Sequence, residues 1–174
     1  MGKLRQIALL GAPILRTKAE EIRFDSNIAR DIVNDMQATL SESNGVGLAA
    51  PQIYEPYRII ILASRPTPRY PNAPFMEPTV MINPDFRMLS EKQQKDWEGC
   101  LSIPGIRALV PRFTLIEISY TDQQGKQTRQ TLKNFIARVF QHEYDHLEGK
   151  VYLDRVENNQ DIISEKEFNK QIID

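Results

Sequence analysis

The chain's only two histidines, His142 and His146, stand four residues apart in His142-Glu143-Tyr144-Asp145-His146. On a helix, residues at that spacing lie one turn apart on one face, so two imidazoles can grip a single metal ion. Glu143 would sit beside that ion, where a carboxylate can handle the proton of a water molecule. Chance placement of two histidines gives this spacing with a following glutamate only about once in a thousand chains of this composition. A catalytic metal site normally has a third protein ligand and an open position. The motif leaves that third ligand undetermined: Glu148, Glu157, Glu165 and Glu167 lie downstream, and Cys100 is the one thiol. A lone cysteine is more often a small buried hydrophobe than a ligand. Its setting, Glu98-Gly99-Cys100-Leu101-Ser102, is too polar for a plain core, and Gly99 permits close backbone approach. A third segment, Gly45-Val46-Gly47-Leu48-Ala49-Ala50-Pro51-Gln52, has two glycines in three residues. That suits a backbone lying against a ligand, or equally a loop leaving a helix. It lacks the Gly-Lys-Ser/Thr ending of a phosphate loop.

The elements that must carry these groups are partly legible. Ile28, Ile32, Val33, Met36 and Leu40 share one face at helical spacing, with Asp25 or Ser26 as cap and a stop near Asn44-Gly45. Tyr57 to Ala63 and Thr79 to Asn83 are predicted strands. Between them, residues 65–78 hold Pro66, Pro68, Pro71, Pro74 and Pro78, and this segment is predicted to be a surface loop. Phe113 to Thr121 alternates, and Asp122-Gln123-Gln124-Gly125 supplies a turn into the polar strand Lys126 to Thr131. The histidine motif falls on a second helix, with Asn134 as cap, Phe135, Ile136, Val139, Phe140 and Leu147 as apolar faces, and Gly149 at its end. Val151-Tyr152-Leu153 is predicted as a short strand and residues 155–174 as a polar tail. Strands grouped around two helices without βαβ alternation indicate an α+β fold in a single domain, 1–174.

Composition excludes several classes. The chain has 174 residues, 41% hydrophobic and 26% charged, with a net charge of −1. These are values of a globular protein, neither disordered nor strongly basic, so a dedicated nucleic-acid binder is not expected. No apolar run is long enough to span a membrane. One cysteine cannot form an internal disulfide, which points to a reducing compartment. Lys3 and Arg5 precede a short apolar run, but Gly11 and Pro13 interrupt it before any cleavage site, so a cytoplasmic protein is expected.

Taken together and in order, the three segments resemble the signature motifs of the peptide deformylase family. Gly45–Gln52 matches its GxGLAAxQ pattern, Glu98–Ser102 its EGCLS pattern, and His142–Gly149 its HExDHLxG pattern. The resemblance implies antiparallel strands packed around a central HExxH helix. It implies Cys100, His142 and His146 as metal ligands, Glu143 as acid/base, and Gln52 with the Leu101 N–H as oxyanion donors. It implies one divalent ion, by family preference Fe(II); the Cys/His/His donor set also suits zinc, nickel or cobalt. The implied substrate is the N-formyl-methionyl end of a newly made protein in a bacterial-type cytoplasm. Its backbone would pair in extended form with Val46 and Gly99, a mode that tolerates many residues after the methionine. Phe135 and Val139, before the histidines on the helix, would wall the methionine slot, and Arg107 would lie near the bound peptide. A tight wall at Gly45–Gly47 would exclude the larger acetyl group, and Asp145 would hold Arg112 in an ion pair steadying the helix. The tail from Arg155 to Asp174 has three basic and five acidic residues, unlike the basic helix that docks some members on the ribosome. A zinc peptidase shares the helix motif, but the Cys100 segment favours deformylation and the metzincin extension is missing. A non-catalytic peptide binder would have no use for Glu143.

Overall fold

A computed structural model describes residues 2–43, 45–67 and 70–173. Asn44 and Pro68, both named above, and the tail's last residue, Asp174, lie outside the described residues. Helix α1 (Asn27–Ser41) is capped by Ser26, whose Oγ accepts from the Ala29 N–H at 3.1 Å. Its buried face is Ala29, Ile32, Val33, Met36 and Leu40; Ile28, expected on that face, is exposed.

Strands β1 (Gly47–Ala49), β2 (Ile59–Ser64), β3 (Met76–Met88), β6 (Leu115–Thr121) and β7 (Gln127–Lys133) form one sheet in the order β1-β2-β3-β6-β7. A second sheet has the order β4-β5-β8, from β4 (Gln93–Cys100), β5 (Ile103–Phe113) and β8 (Ile162–Ser164). All of these strand pairs are antiparallel. Strand β2 is apolar from Ile59 to Ala63 because both its faces are covered. Ile60 and Leu62 join the core beneath helix α2 (Asn134–Leu147), whereas Ile59 and Ile61 face α1. Helix α2, which carries His142 and His146, is thus packed against strands of both sheets.

Several expected boundaries shift. The proline-rich segment ends earlier than 78, since β3 starts at Met76; Pro78 falls at an irregularity in the β2/β3 register, where its missing N–H breaks no ladder bond. Phe113 closes β5 instead of opening the hairpin. Asn134 does not cap α2 with its side chain; it adopts φ +49°, a conformation Asn tolerates, and its N–H donates to the Thr114 carbonyl at 2.8 Å. Gly149 does end α2 at φ +68°, where a side chain would strike the Arg16 carbonyl. Tyr152 begins a 3-10 turn (Tyr152–Arg155), not a strand, because its buried ring is drawn down onto His142. The tail is more than a polar appendage: β8 pairs with β5 at Ile106–Ala108, and the short α3 (Glu165–Phe168) buries Phe168 against Trp97.

Candidate active site

The site lies between two edge strands, β1 of the larger sheet and β4 of the smaller, with α2 behind. Cys100 ends β4 beside a β-bulge: Glu98 pairs with Ala108, yet Cys100 pairs with Ile103. Alternation along β4 puts the Cys100 thiol on the same face as Glu98, toward α2. The two histidines come from one face of α2, with ring centroids 5.3 Å apart. The candidate ligand atoms of Cys100, His142 and His146 all lie within 4.8 Å of one another. Cys100 Sγ is 3.4 Å from His146 Nε2. The four downstream glutamates are committed elsewhere: Glu148 to Arg58 at 2.6 Å, Glu157 to Lys95 at 2.8 Å, Glu165 to Arg107 at 3.0 Å and Glu167 to Lys170 at 2.8 Å. A thiol and two imidazoles, buried and convergent, suit a borderline-soft divalent cation.

The charges around the triad are arranged for that use. Burial opposes ionisation of the Cys100 thiol, but His146 and His142 outweigh it and hold the thiol well below its usual range. His142 Nδ1 lies 2.9 Å from Glu98 Oε2, so its Nε2 is the ring atom left for a metal. Burial likewise works against the Glu98 carboxylate, and Arg112 and His142 overcome it, keeping its pKa far below the ordinary carboxylate value. Arg112 donates to both Glu98 oxygens, at 2.9 and 3.0 Å, and Arg138 donates to one at 2.9 Å. Arg112 also reaches Asp145 at 2.6 Å, and Arg155 holds the same carboxylate at 2.7 Å. The expected Asp145–Arg112 pair is therefore part of a larger buried network.

Glu143 is buried, its Oε2 has no hydrogen-bond partner, and burial pushes its carboxyl up to about 7. The absence of a side chain at Gly47 makes this possible, since a Cβ there would lie 2.5 Å from Glu143 Oε1. The glycine is thus required by the carboxylate beside it, a different use from the steric wall expected against acetyl groups. Gln52 sits in the 3-10 turn Ala50–Ile53. Its Oε1 accepts from the Ala49 N–H at 2.9 Å, which turns Nε2 toward Ser102 Oγ at 3.2 Å and Cys100 Sγ at 3.5 Å. Gln52 thus offers a donor to the centre of the site. Leu101 lies in the tight turn after Cys100 and lines the pocket with Gly45, Val46, Gly99, Phe135 and Val139.

The Val46 carbonyl accepts from the Ala63 N–H at 2.9 Å, so it is already engaged by β2. Alternation along the strand then turns the main-chain groups of Gly47 away from β2, toward the free edge. Arg107 is 1% exposed and lies across Gly99, where a Cβ would come within 2.8 Å of it. Sequence reasoning gave no role to Arg138, Tyr152 or Tyr70, although each borders the site; nothing in their local sequence marks them, because their partners are distant in the chain.

A family profile for polypeptide deformylase matches residues 4–161. The chain belongs to the peptide deformylase family. It is 49% identical to peptide deformylase 2 of Nostoc sp. over 98% of its own length and 96% of that relative's. It is 44% identical to peptide deformylase 2 of Shewanella oneidensis, covering 86% of this chain and 82% of the relative. Among solved structures, it resembles the Met-Ala-Ser-bound class I type b peptide deformylase of Acinetobacter baumannii with a TM-score of 0.86 and 40% identity, over 90% of this chain and all (100%) of that one. A peptide deformylase from Thermotoga maritima gives 0.77 and 32%, over 90% and 99%. Peptide deformylases are metal-dependent hydrolases that release formate from the N-terminal formyl-methionine of newly synthesised proteins, and this is the chain's reaction.

Proposed function

We propose that Cys100, His142 and His146 hold the divalent metal and that Glu143 is the acid/base of deformylation, with residues 1–174 acting as a single catalytic domain. The observation that carries this is the convergence of one thiol and two imidazoles from separate elements within 4.8 Å, beside a buried carboxylate with an unpartnered oxygen. A divalent cation held there would supply Lewis acidity, lowering the pKa of a water molecule and polarising the formyl carbonyl. Glu143 accepts the proton of the attacking water and returns it to the departing amine nitrogen, giving formate and a free N-terminus. Gln52 Nε2 and the Leu101 N–H donate to the oxygen on which negative charge develops. The peptide lies extended between the backbone of Gly45, Val46 and Gly47 on one side and Gly99 on the other, with its methionine against Phe135 and Val139. Arg107 acts from behind Gly99, supporting that edge.

This reading is supported by the Met-Ala-Ser peptide bound to the Acinetobacter baumannii enzyme, which has the form of a deformylated product. The metal is Fe(II) in this reading, with zinc, nickel and cobalt as substitutes, and the enzyme works in a bacterial-type cytoplasm. Among the described residues no helix is long and apolar enough to cross a membrane. The net charge of −1 and the acidic tail argue against a nucleic-acid site and a basic ribosome anchor. Anaerobic purification with metal analysis, coupled to a formate-release assay, tests the proposal. One equivalent of iron with full turnover is expected, and Cys100→Ala should lose both; a Cys100→Ala enzyme that keeps its metal would overturn the ligand set.

A further inference from the structure

The proline-rich segment delivers one side chain to the pocket, Tyr70, and the loop holds it in place. The Tyr70 N–H donates to the Thr67 carbonyl at 3.0 Å and to Thr67 Oγ1 at 3.0 Å, while its carbonyl accepts from Thr67 at 3.1 Å and from Ala73 at 3.2 Å. With its backbone tied at four points, the ring packs edge-on against Phe135, centroids 5.2 Å apart and planes at 62°. Arg107 fixes the other side of the ring. Its Nη1 donates to the Tyr70 hydroxyl at 3.4 Å, and its guanidinium lies 5.7 Å from the Tyr70 ring and 5.0 Å from that of Phe168. Glu165 completes the clasp by accepting from Arg107 Nε and Nη2. Tyr70 and Phe135 both line the cavity that holds Cys100 and Glu143.

An edge-to-face pair leaves a corner in which a third group can touch one ring edge and one ring face. A thioether is suited to such a corner because its polarizable sulfur gains from contact with aromatic rings, an advantage that an isosteric methylene lacks. We propose that Tyr70 is a specificity-determining residue for the substrate's first side chain, forming with Phe135 an aromatic corner that selects the methionine sulfur. This rests on the reading of the cavity as the methionine slot, and it gives the proline-rich loop a use in substrate choice.

The test compares kcat/KM of the metal-loaded enzyme on formyl-Met-Ala-Ser and formyl-norleucine-Ala-Ser, whose first side chains differ in sulfur against methylene. A preference for methionine of about two- to tenfold is expected for the unaltered enzyme. Tyr70→Leu, which keeps apolar bulk and loses the ring, should bring the ratio toward one, chiefly through KM. Tyr70→Phe, which keeps the ring and drops the hydrogen bond to Arg107, should restore the preference. The ratio is read within each variant, so a general loss of activity or stability leaves it measurable. If Tyr70→Leu retains the preference while Phe135→Leu abolishes it, Tyr70 has no such role and the slot stands. If neither substitution moves the ratio, or the unaltered enzyme shows no preference, the corner is wrong while the slot stands; a KM for both peptides left unchanged by Phe135→Leu would remove the slot as well.

Discussion

Glu98 Oε2 and His142 Nδ1 meet at 2.9 Å at the centre of a buried chain of charge that runs from Arg138 and Arg112 to the candidate metal ligands. The carboxylate cannot be exchanged for solvent, because Glu98 is 3% exposed and its two oxygens already serve two guanidinium groups. It therefore fixes the orientation of the imidazole and directs Nε2 at the candidate metal position.

Removing this carboxylate should have two effects that can be read separately. Glu98→Ala leaves Arg112 and Arg138 buried without their shared partner, which costs about 3–5 kcal/mol of stability. It also frees the His142 ring, weakening metal affinity by about 10–100-fold. Thermal unfolding measures the first, and competition for metal against a chelator of known affinity measures the second. Unchanged metal affinity in a folded Glu98→Ala protein would show that His142 is oriented by something else.

Gly47→Ala tests how closely Glu143, the proposed acid/base, is packed. The new methyl carbon would lie 2.5–2.8 Å from the Glu143 carboxyl group, so Glu143 must rotate away from its present place. Displacing a reacting group by about 1 Å can cost on the order of a hundredfold in rate. We expect kcat to fall by about that factor with metal content unchanged. Near-normal turnover would mean that the carboxylate works from another position.

The sequence motifs and the helix periodicity were enough to place His142, His146 and Glu143 on one buried helix. The apolar run of β2 and the β6–β7 hairpin were equally legible, since their patterns are local. β4 and β5 were not. Gln93 to Asp96 is polar and solvent-facing, and Pro104, Gly105 and Pro111 read as breakers. Yet Pro111 lies where β8 no longer covers β5, so its missing N–H costs no strand pairing there. Tyr70, Arg138 and Tyr152 reach the site through contacts across 37 or more residues, or through ring packing on a residue of another element, which no local pattern encodes.

The segment before α1 gives a pH-dependent prediction. The Ala8 N–H donates to the Gln52 carbonyl and the Leu10 N–H to the Ser102 carbonyl, both at 2.8 Å, so this strand of chain braces two residues of the site. It is anchored by Asp35, which accepts from the Lys3 N–H at 2.7 Å and from Arg5 at 2.9 Å. Partial burial opposes ionisation of Asp35, but these two donors outweigh it and lower its pKa. A carboxylate with a lowered folded-state pKa adds stability above its unfolded value, about 4, and loses it as pH falls through the folded value. Asp35→Asn should lower Tm by about 2–4 °C at pH 7, taking ~1 kcal/mol for the lost interaction. The difference from the unaltered protein should shrink steadily below about pH 4. A difference that is constant with pH would mean that the charge on Asp35 has no part in the anchor.

Glu143→Gln separates charge from shape. The amide has nearly the size of the carboxylate, so it fits the space Gly47 leaves and should not disturb the fold or the three candidate ligands. It cannot accept a proton, and its neutral group offers nothing to the departing amine. General acid–base catalysis by a placed side chain is worth about 10²–10⁴-fold, so kcat should fall within that range while bound metal stays at one equivalent. KM should change little, because Glu143 is proposed to act on the reacting group and Phe135 and Val139, not Glu143, to wall the methionine. Formate release within threefold of the unaltered enzyme would remove Glu143 from the mechanism and leave proton transfer to another group.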